Sequence, residues 1–126
     1  MTLARLSLSF AAACALGAAV LMPAQAAPRM NFDGNWSVLI VTKSGPCDQA
    51  YRYGVSIRDG RVSYEGSAAV NVDGHVTPTG VVNVRVWAGS QNANGAGRLS
   101  RDYGGGNWRG SGSSGSCSGT WTAERR

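Results

Sequence analysis

The chain has 126 residues, of which 12 are Lys or Arg, 7 are Asp or Glu and one is His, so its formal net charge is +5. This length fits one small domain. The 18 glycines and 4 prolines would interrupt any long helix, which excludes a mainly helical fold. The arginines are spread singly, and only Arg125 and Arg126 adjoin. Such scattered charge forms no concentrated basic patch, so we do not expect a nucleic acid as partner.

The first 26 residues have the layout of a secretory signal peptide. Arg5 supplies a positive charge, and an apolar run and a proline precede a small-residue stretch that ends at Ala26. We expect cleavage after Ala26 or Ala27, leaving a periplasmic or secreted domain of residues 27–126 with no membrane span. A membrane anchor and a lipid-modified start at Cys14 are the alternatives.

Cleavage would remove Cys14 and leave two cysteines, Cys47 and Cys117. An even pair in an exported protein predicts one disulfide bond. A loop of about 70 residues closed in this way would contribute roughly 4 kcal/mol to the free energy of unfolding. Two free thiols are the alternative.

Period-two alternation, typical of half-buried strands, begins at residues 49–58. Asp59-Gly60 then predicts a two-residue hairpin turn, because both central positions of that turn need a positive φ. The return strand follows over residues 61–65. One apolar face is shared by Tyr51, Tyr53, Val55, Ile57, Val62 and Tyr64.

Asp73-Gly74 predicts a second hairpin turn, with a return strand that ends at Pro78. Residues 80–89 alternate again, with Val82, Val84 and Val86 on one face. Residues 35–42 carry apolar side chains on both faces, which indicates a strand covered on both sides or placed at a barrel seam. Weaker strands are predicted within residues 95–102, 106–110 and 117–124.

Residues 104–119 are rich in glycine and serine, which occupy twelve of the sixteen positions. Such a composition is typical of a flexible linker, but Trp108 and Cys117 lie inside it. We therefore expect a mobile segment with one short strand around residues 107–110 and a hairpin loop around residues 111–116.

An open meander has unpaired edges, and closure of the sheet removes them. Trp36 lies near the start of the first predicted strand and Trp121 near the middle of the last. If these strands pair, both indoles can cover one end of the core. We therefore predict an all-β fold: a small antiparallel meander of about eight strands, closed or nearly closed into a barrel, with one disulfide.

The Gly34-x-Trp36 motif resembles that of the calycin superfamily of lipocalins, avidins and small bacterial protease inhibitors. In those proteins this motif packs under a basic residue from the last strand. The resemblance implies the same closing role for Gly34, Trp36 and Arg125. The span from "FDGNW" to "CSGTW" is also similar to small uncharacterised exported proteins of Gram-negative bacteria. Neither resemblance implies an activity.

No combination of residues indicates catalysis. His75 is the single histidine and follows a predicted turn, so nucleophilic or metal chemistry built on it lacks further members. No pair of carboxylates is indicated by spacing, and the glycine-rich tract lacks the Lys-Ser/Thr ending of a phosphate loop. We expect no catalytic residue, metal ligand or cofactor.

Binding is better supported. Arg85 and Trp87 share the strand face opposite the valines, and Tyr103 and Trp108 flank glycine-rich backbone. Aromatic side chains beside arginine stack on sugars or anchor protein interfaces. We therefore predict a non-enzymatic, secreted or periplasmic binding protein for an envelope glycan, a protein such as a protease, or a small apolar molecule. The alternatives are an adhesin-like or envelope structural module, or a small hydrolase using His75. A hollow barrel would favour the small molecule.

Overall fold

A computed structural model of the chain describes residues 12–21 and 31–126. Residues 31–126 form a closed barrel of eight antiparallel strands in which each strand pairs with the next and the last pairs with the first. The predicted all-β meander, its closure and its disulfide are confirmed. Residues 12–21 are exposed and form neither helix nor strand. The expected cleavage site lies outside the described residues. Within the described ranges, no helix has the length and apolar character needed to cross a membrane.

The eight strands follow one another with short connections. Their bounds are β1 Gly34–Ser44, β2 Ala50–Arg58, β3 Arg61–Tyr64, β4 Asn71–Val76, β5 Val81–Ala88, β6 Gln91–Leu99, β7 Tyr103–Gly112 and β8 Gly115–Arg125. Connections at one end, called the base, join β2 to β3, β4 to β5 and β6 to β7. The other four connections lie at the opposite end, called the mouth.

The base is closed around Trp36, which is 1% exposed. Its indole Nε1 donates a hydrogen bond to the backbone oxygen of Phe32 at 2.8 Å. The Arg125 guanidinium lies over the ring, 4.7 Å from its centroid, and donates to the backbone oxygens of Asp33 and Asn31 at 2.7 and 2.9 Å. An arginine of the last strand thereby covers the tryptophan of the first.

The sequence predicted that Trp36 and Trp121 cover one end of the core together. Both belong to the buried core cluster, but they lie at different positions along the barrel. In the β1–β8 register, Trp36 is opposite Arg125, whereas Trp121 is opposite Ile40, four residues farther towards the mouth. The two indoles therefore occupy different levels of the interior. Apolar residues fill the level around Trp36; they are Phe32, Ile57, Val62, Val76, Val82, Leu99 and Ala123.

The Asp59-Gly60 turn joins β2 to β3 as predicted, with φ values of 51° and 74°. Asp33 stabilises this turn, because its carboxylate accepts hydrogen bonds from the backbone N–H groups of Asp59 and Gly60 at 2.8 and 3.2 Å. These two bonds lower the pKa of the Asp33 carboxyl. The turn is thereby tied to the segment that precedes β1.

The predicted turn at Asp73-Gly74 is wrong, since both residues lie inside β4. Gly74 is opposite Val62 on one side and Val84 on the other. A Cβ at Gly74 would lie 2.5 Å from Cγ2 of Val84, so the glycine makes room for that side chain in the interior. Pairing with two neighbouring strands overrides the local turn signal of the Asp-Gly sequence.

The glycine-rich segment also differs from its prediction. Instead of one short strand and a hairpin loop, residues 104–112 belong to β7 and residues 115–119 to β8. The two strands pair from Tyr103–Glu124 to Gly112–Gly115, so the connection contains only residues 113 and 114. Backbone hydrogen bonds to both neighbours order a composition that would be a linker in isolation.

Candidate functional site

The barrel interior holds a cavity of about 520 Å³ above the packed base. This volume lies within the range of roughly 300–1,000 Å³ that is typical of small-molecule sites. An eight-stranded barrel is wide enough either to be filled by its own side chains or to hold one small ligand. The main apolar side chains along the wall are Val38, Ile40, Tyr51, Tyr53, Val55, Tyr64, Val72, Val84, Val86, Trp108 and Trp121.

One wall of the cavity is formed by two indoles, called the indole wall. Trp121 Nε1 donates to the backbone oxygen of Ala96 at 3.2 Å, so its ring extends from β8 towards β6. Trp108 Nε1 donates to the backbone oxygen of Val41 at 3.1 Å, so its ring extends from β7 towards β1. These bonds fix the N–H edge of each ring, and both residues line the cavity.

Glycine makes this arrangement possible. A Cβ at Gly97 would lie 2.7 Å from Cζ2 of Trp121, closer than real Cβ contacts allow. In the register of the sheet, Gly97 is opposite Gly106, and Gly106 is in turn opposite Trp121. The Trp121 ring therefore lies beside a strip of glycine backbone, and at Gly97 a larger residue would collide with the ring and with the Gly105 backbone oxygen.

Another wall consists of Tyr51, Tyr53 and Tyr64, called the tyrosine wall. The rings of Tyr51 and Tyr53 are stacked, with centroids 6.0 Å apart and an interplanar angle of 23°. Tyr53 and Tyr64 meet edge to face, also with centroids 6.0 Å apart. Both arrangements are favourable for aromatic pairs.

The hydroxyl groups of this wall lie in different surroundings. A hydrogen bond to the Asp48 carboxylate raises the pKa of Tyr51. Partial burial raises the pKa of Tyr53, and the nearby Tyr64 adds to this effect. An ordinary tyrosine, with a pKa of 10.0, is already protonated at neutral pH, and the raised pKa of Tyr53 keeps its hydroxyl a hydrogen-bond donor.

The mouth is bordered by the β1–β2 connection. Pro46, Cys47 and Asp48 from this connection line the cavity. The disulfide joins Cys47 to Cys117 of β8, with Cα atoms 6.1 Å apart. Gly45 precedes the loop with a φ of 98°. The disulfide therefore fixes one side of the entrance against the barrel.

The four residues predicted to bind a partner do not lie together. Trp108 lines the cavity. Trp87 is 37% exposed near the mouth, where it also borders the cavity, and Arg85 lies 5.5 Å from its ring centroid. Tyr103 is 66% exposed and begins β7 at the base, opposite Glu124. Tyr103 is therefore separate from the other three.

A shallow concavity of about 660 Å³ lies on the outer face of the barrel. The register places Asp73, Arg85, Asn94 and Arg109 in one row across β4 to β7. Three basic side chains and one acidic side chain border the concavity; they are Lys43, Arg85, Arg109 and Asp73. This surface is cationic, in contrast to the apolar interior.

His75 does not line the cavity. The side chain is exposed on the outer face, opposite Arg61 and Asn83 in the sheet register. Among the described residues, no three His, Cys, Asp or Glu side chains come close enough together to hold a metal ion.

Sequence reasoning did not identify Tyr51, Tyr53, Tyr64 and Trp121 as lining a site. Their alternation predicted an inward face, but inward side chains usually fill a core. The available signal was the high glycine content of β6 and β7, which removes side-chain volume from one side of the barrel.

Searches against protein-family models, curated proteins and solved structures found no match to this chain. The calycin resemblance therefore stays a prediction, and the functional assignment depends on the geometry of the cavity.

Proposed function

We propose that this protein binds a small, mainly apolar molecule inside its barrel and has no enzymatic activity. The cavity of about 520 Å³ is the observation that supports this proposal. Its wall is built from valine, isoleucine and aromatic side chains, and no buried polar or charged residue occurs in the described part of the chain. An apolar ligand would leave water and gain about 25 cal/mol per Å² of buried surface.

The proposed place of action is the periplasm or the extracellular space. The N-terminal signal-like segment and the disulfide between Cys47 and Cys117 support this assignment, because disulfides persist in oxidising compartments. In that setting the protein would carry or sequester a molecule of low water solubility.

The experiment is a titration of the purified mature domain with three uncharged probes: 2-naphthol, decahydro-2-naphthol and 1-dodecanol. Val86→Phe adds volume inside the cavity, and Asn83→Phe adds the same ring to the outer face of the same strand. We expect at least one probe to bind the native protein and the Asn83→Phe control. Binding to Val86→Phe should be weakened at least about tenfold, which corresponds to roughly 1.4 kcal/mol.

Two results would contradict the proposal. One is that no probe binds the native protein at millimolar concentration. The other is that Val86→Phe, shown to be folded by circular dichroism, binds every probe as tightly as the native protein does.

The outer concavity favours a second candidate function, the binding of an anionic glycan. Lys43, Arg85 and Arg109 supply positive charge, and Arg85 lies against the Trp87 ring, which offers a surface for sugar stacking. Binding of a sulfated polysaccharide should weaken as salt rises, because exposed charges are screened. The double variant Arg85→Ala/Arg109→Ala should lose this binding, and Arg61→Ala, on β3, should keep it. Equal binding by both variants would exclude this face.

A further inference from the structure

We propose that the cavity selects flat aromatic molecules that carry a hydrogen-bonding group, in preference to aliphatic molecules. This inference rests on the proposed function, because it specifies the ligand class of the same cavity. The observation that carries it is the relation between the indole wall and the tyrosine wall.

The two walls face each other across the lumen. In a closed order of eight strands, the strand directly opposite any other is four positions away. By this count, β2 is opposite β6 and β3 is opposite β7. The tyrosine wall belongs to β2 and β3, whereas the Trp121 ring extends across β7 to β6. The lumen is therefore bordered by aromatic rings on two opposite sides.

The remaining two sides of the lumen carry aliphatic side chains. Val72 of β4 and Val84 and Val86 of β5 line one of them. Val38 and Ile40 of β1 line the other, which the Trp108 indole also reaches. Aliphatic edges between two aromatic walls form a slot. A flat ring system placed in it would present its faces to aromatic rings and its edges to methyl groups.

The indole wall is fixed before any ligand enters. The indole N–H groups of Trp108 and Trp121 both donate to backbone oxygens. Gly95 and Gly97 beside Trp121 have no side chains that could push the ring out of place. A fixed surface loses little conformational entropy on binding, which favours affinity. Stacking adds a geometric preference for aromatic ligands beyond the area that they bury.

A polar group is expected on the ligand because of the tyrosine wall. Within residues 31–126, the hydroxyls of Tyr53 and Tyr64 form no hydrogen bond to another side chain or to the backbone, and both are open to solvent, since no buried side-chain oxygen lacks a partner there. The Tyr64 hydroxyl lies beside Gly66. Both side chains are half-buried and line the cavity. A hydroxyl or carbonyl on the ligand would replace water as their hydrogen-bond partner, whereas a pure hydrocarbon would displace water and offer no partner in return.

The experiment compares 2-naphthol with decahydro-2-naphthol by isothermal titration calorimetry. The two molecules share the same carbon skeleton and hydroxyl group, but the first is flat and aromatic and the second is puckered and saturated. Since the saturated molecule is the more hydrophobic, burial alone would favour it. We expect 2-naphthol to bind about tenfold more tightly, as stacking on two walls would produce.

Tyrosine variants test whether the tyrosine wall causes the preference for 2-naphthol over decahydro-2-naphthol. Tyr53→Leu and Tyr64→Leu should each reduce the advantage of 2-naphthol severalfold while leaving the affinity for decahydro-2-naphthol nearly unchanged. Tyr53→Phe should keep the stacking part of that advantage. The control is Tyr103→Leu, which removes an exposed tyrosine at the base and should change neither affinity.

The outcomes separate the two proposals. If decahydro-2-naphthol or 1-dodecanol binds as tightly as 2-naphthol, the aromatic preference is overturned while the binding function stands. Equal effects of Tyr53→Leu and Tyr103→Leu would overturn the assignment to the tyrosine wall. If none of the three probes binds, both proposals are overturned.

Discussion

Replacement of Trp36 by alanine tests how the base of the barrel is held together. The side chain is 1% exposed, its Nε1 donates to Phe32, and Arg125 covers its ring. Removing a buried tryptophan costs roughly 3–5 kcal/mol of unfolding free energy, because transfer and cavity terms add. A small domain has only about 5–15 kcal/mol in total, so the loss is a large share of the stability.

The assay is urea unfolding of the oxidised protein, with thermal unfolding as a second measure. For a domain of this size, 1 kcal/mol corresponds to roughly 4–8 °C in Tm, so Trp36→Ala should lower Tm by at least about 12 °C. Trp36→Phe keeps most of the ring but loses the hydrogen bond to Phe32, and should cost nearer to about 1 kcal/mol.

The matched control is Trp87→Ala, which removes a tryptophan that is 37% exposed near the mouth. We expect this variant to lose less than about 1 kcal/mol. If Trp36→Ala were no less stable than Trp87→Ala, the closing role of Trp36 and Arg125 would be refuted.

Three further predictions concern stability. The double variant Cys47→Ser/Cys117→Ser should lose about 4 kcal/mol of unfolding free energy in urea, and a loss below about 1 kcal/mol would contradict the tethering role of the disulfide. The folded pKa of Asp33 is lowered from its ordinary value of 3.8, so its contribution is present above that pH and is lost as pH falls through the folded pKa. Asp33→Asn should therefore flatten the fall of Tm below about pH 4; an unchanged slope would exclude this carboxylate. Gly97→Ala should cost at least roughly 1–3 kcal/mol, because the added methyl meets both the Gly105 backbone oxygen and the Trp121 ring; unchanged urea unfolding would contradict this close packing of β6, β7 and Trp121.

The first hairpin shows which part of the fold is readable from sequence. Alternation at Tyr51, Tyr53, Val55 and Ile57 predicted the inward face of β2, and Asp59-Gly60 predicted its turn. Both signals are local, and the sheet pairing on either side agrees with them. The disulfide was also predictable, because the expected mature domain contains only two cysteines.

Structural features that depend on pairing between strands were harder to predict from the sequence. Asp73-Gly74 carries the same turn signal as Asp59-Gly60, yet Gly74 lies within β4 because its position faces Val84. Residues 104–119 have the composition of a linker, yet their hydrogen bonds to β6 and β8 order them as strands. Local propensity is a weak prior where cross-strand contacts decide the structure.

The cavity was the least predictable feature. Whether inward side chains fill a barrel depends on the number of strands and on where each large ring lies. The N–H groups of Trp108 and Trp121 bond to backbone oxygens of other strands, and the Trp121 ring lies beside Gly95 and Gly97, where no side chain competes for the space. No pattern along the chain indicates the direction in which an indole will turn.

The most direct test of binding inside the barrel is a nuclear magnetic resonance titration of the mature domain with 2-naphthol, following the indole N–H signals of the four tryptophans. We predict the largest shifts at Trp108 and Trp121, whose rings face the lumen, and a smaller shift at Trp36 below it. A shift at Trp87 with none at Trp108 and Trp121, or the absence of any shift at saturating probe, would contradict binding inside the barrel, because Trp87 borders the cavity only near the mouth.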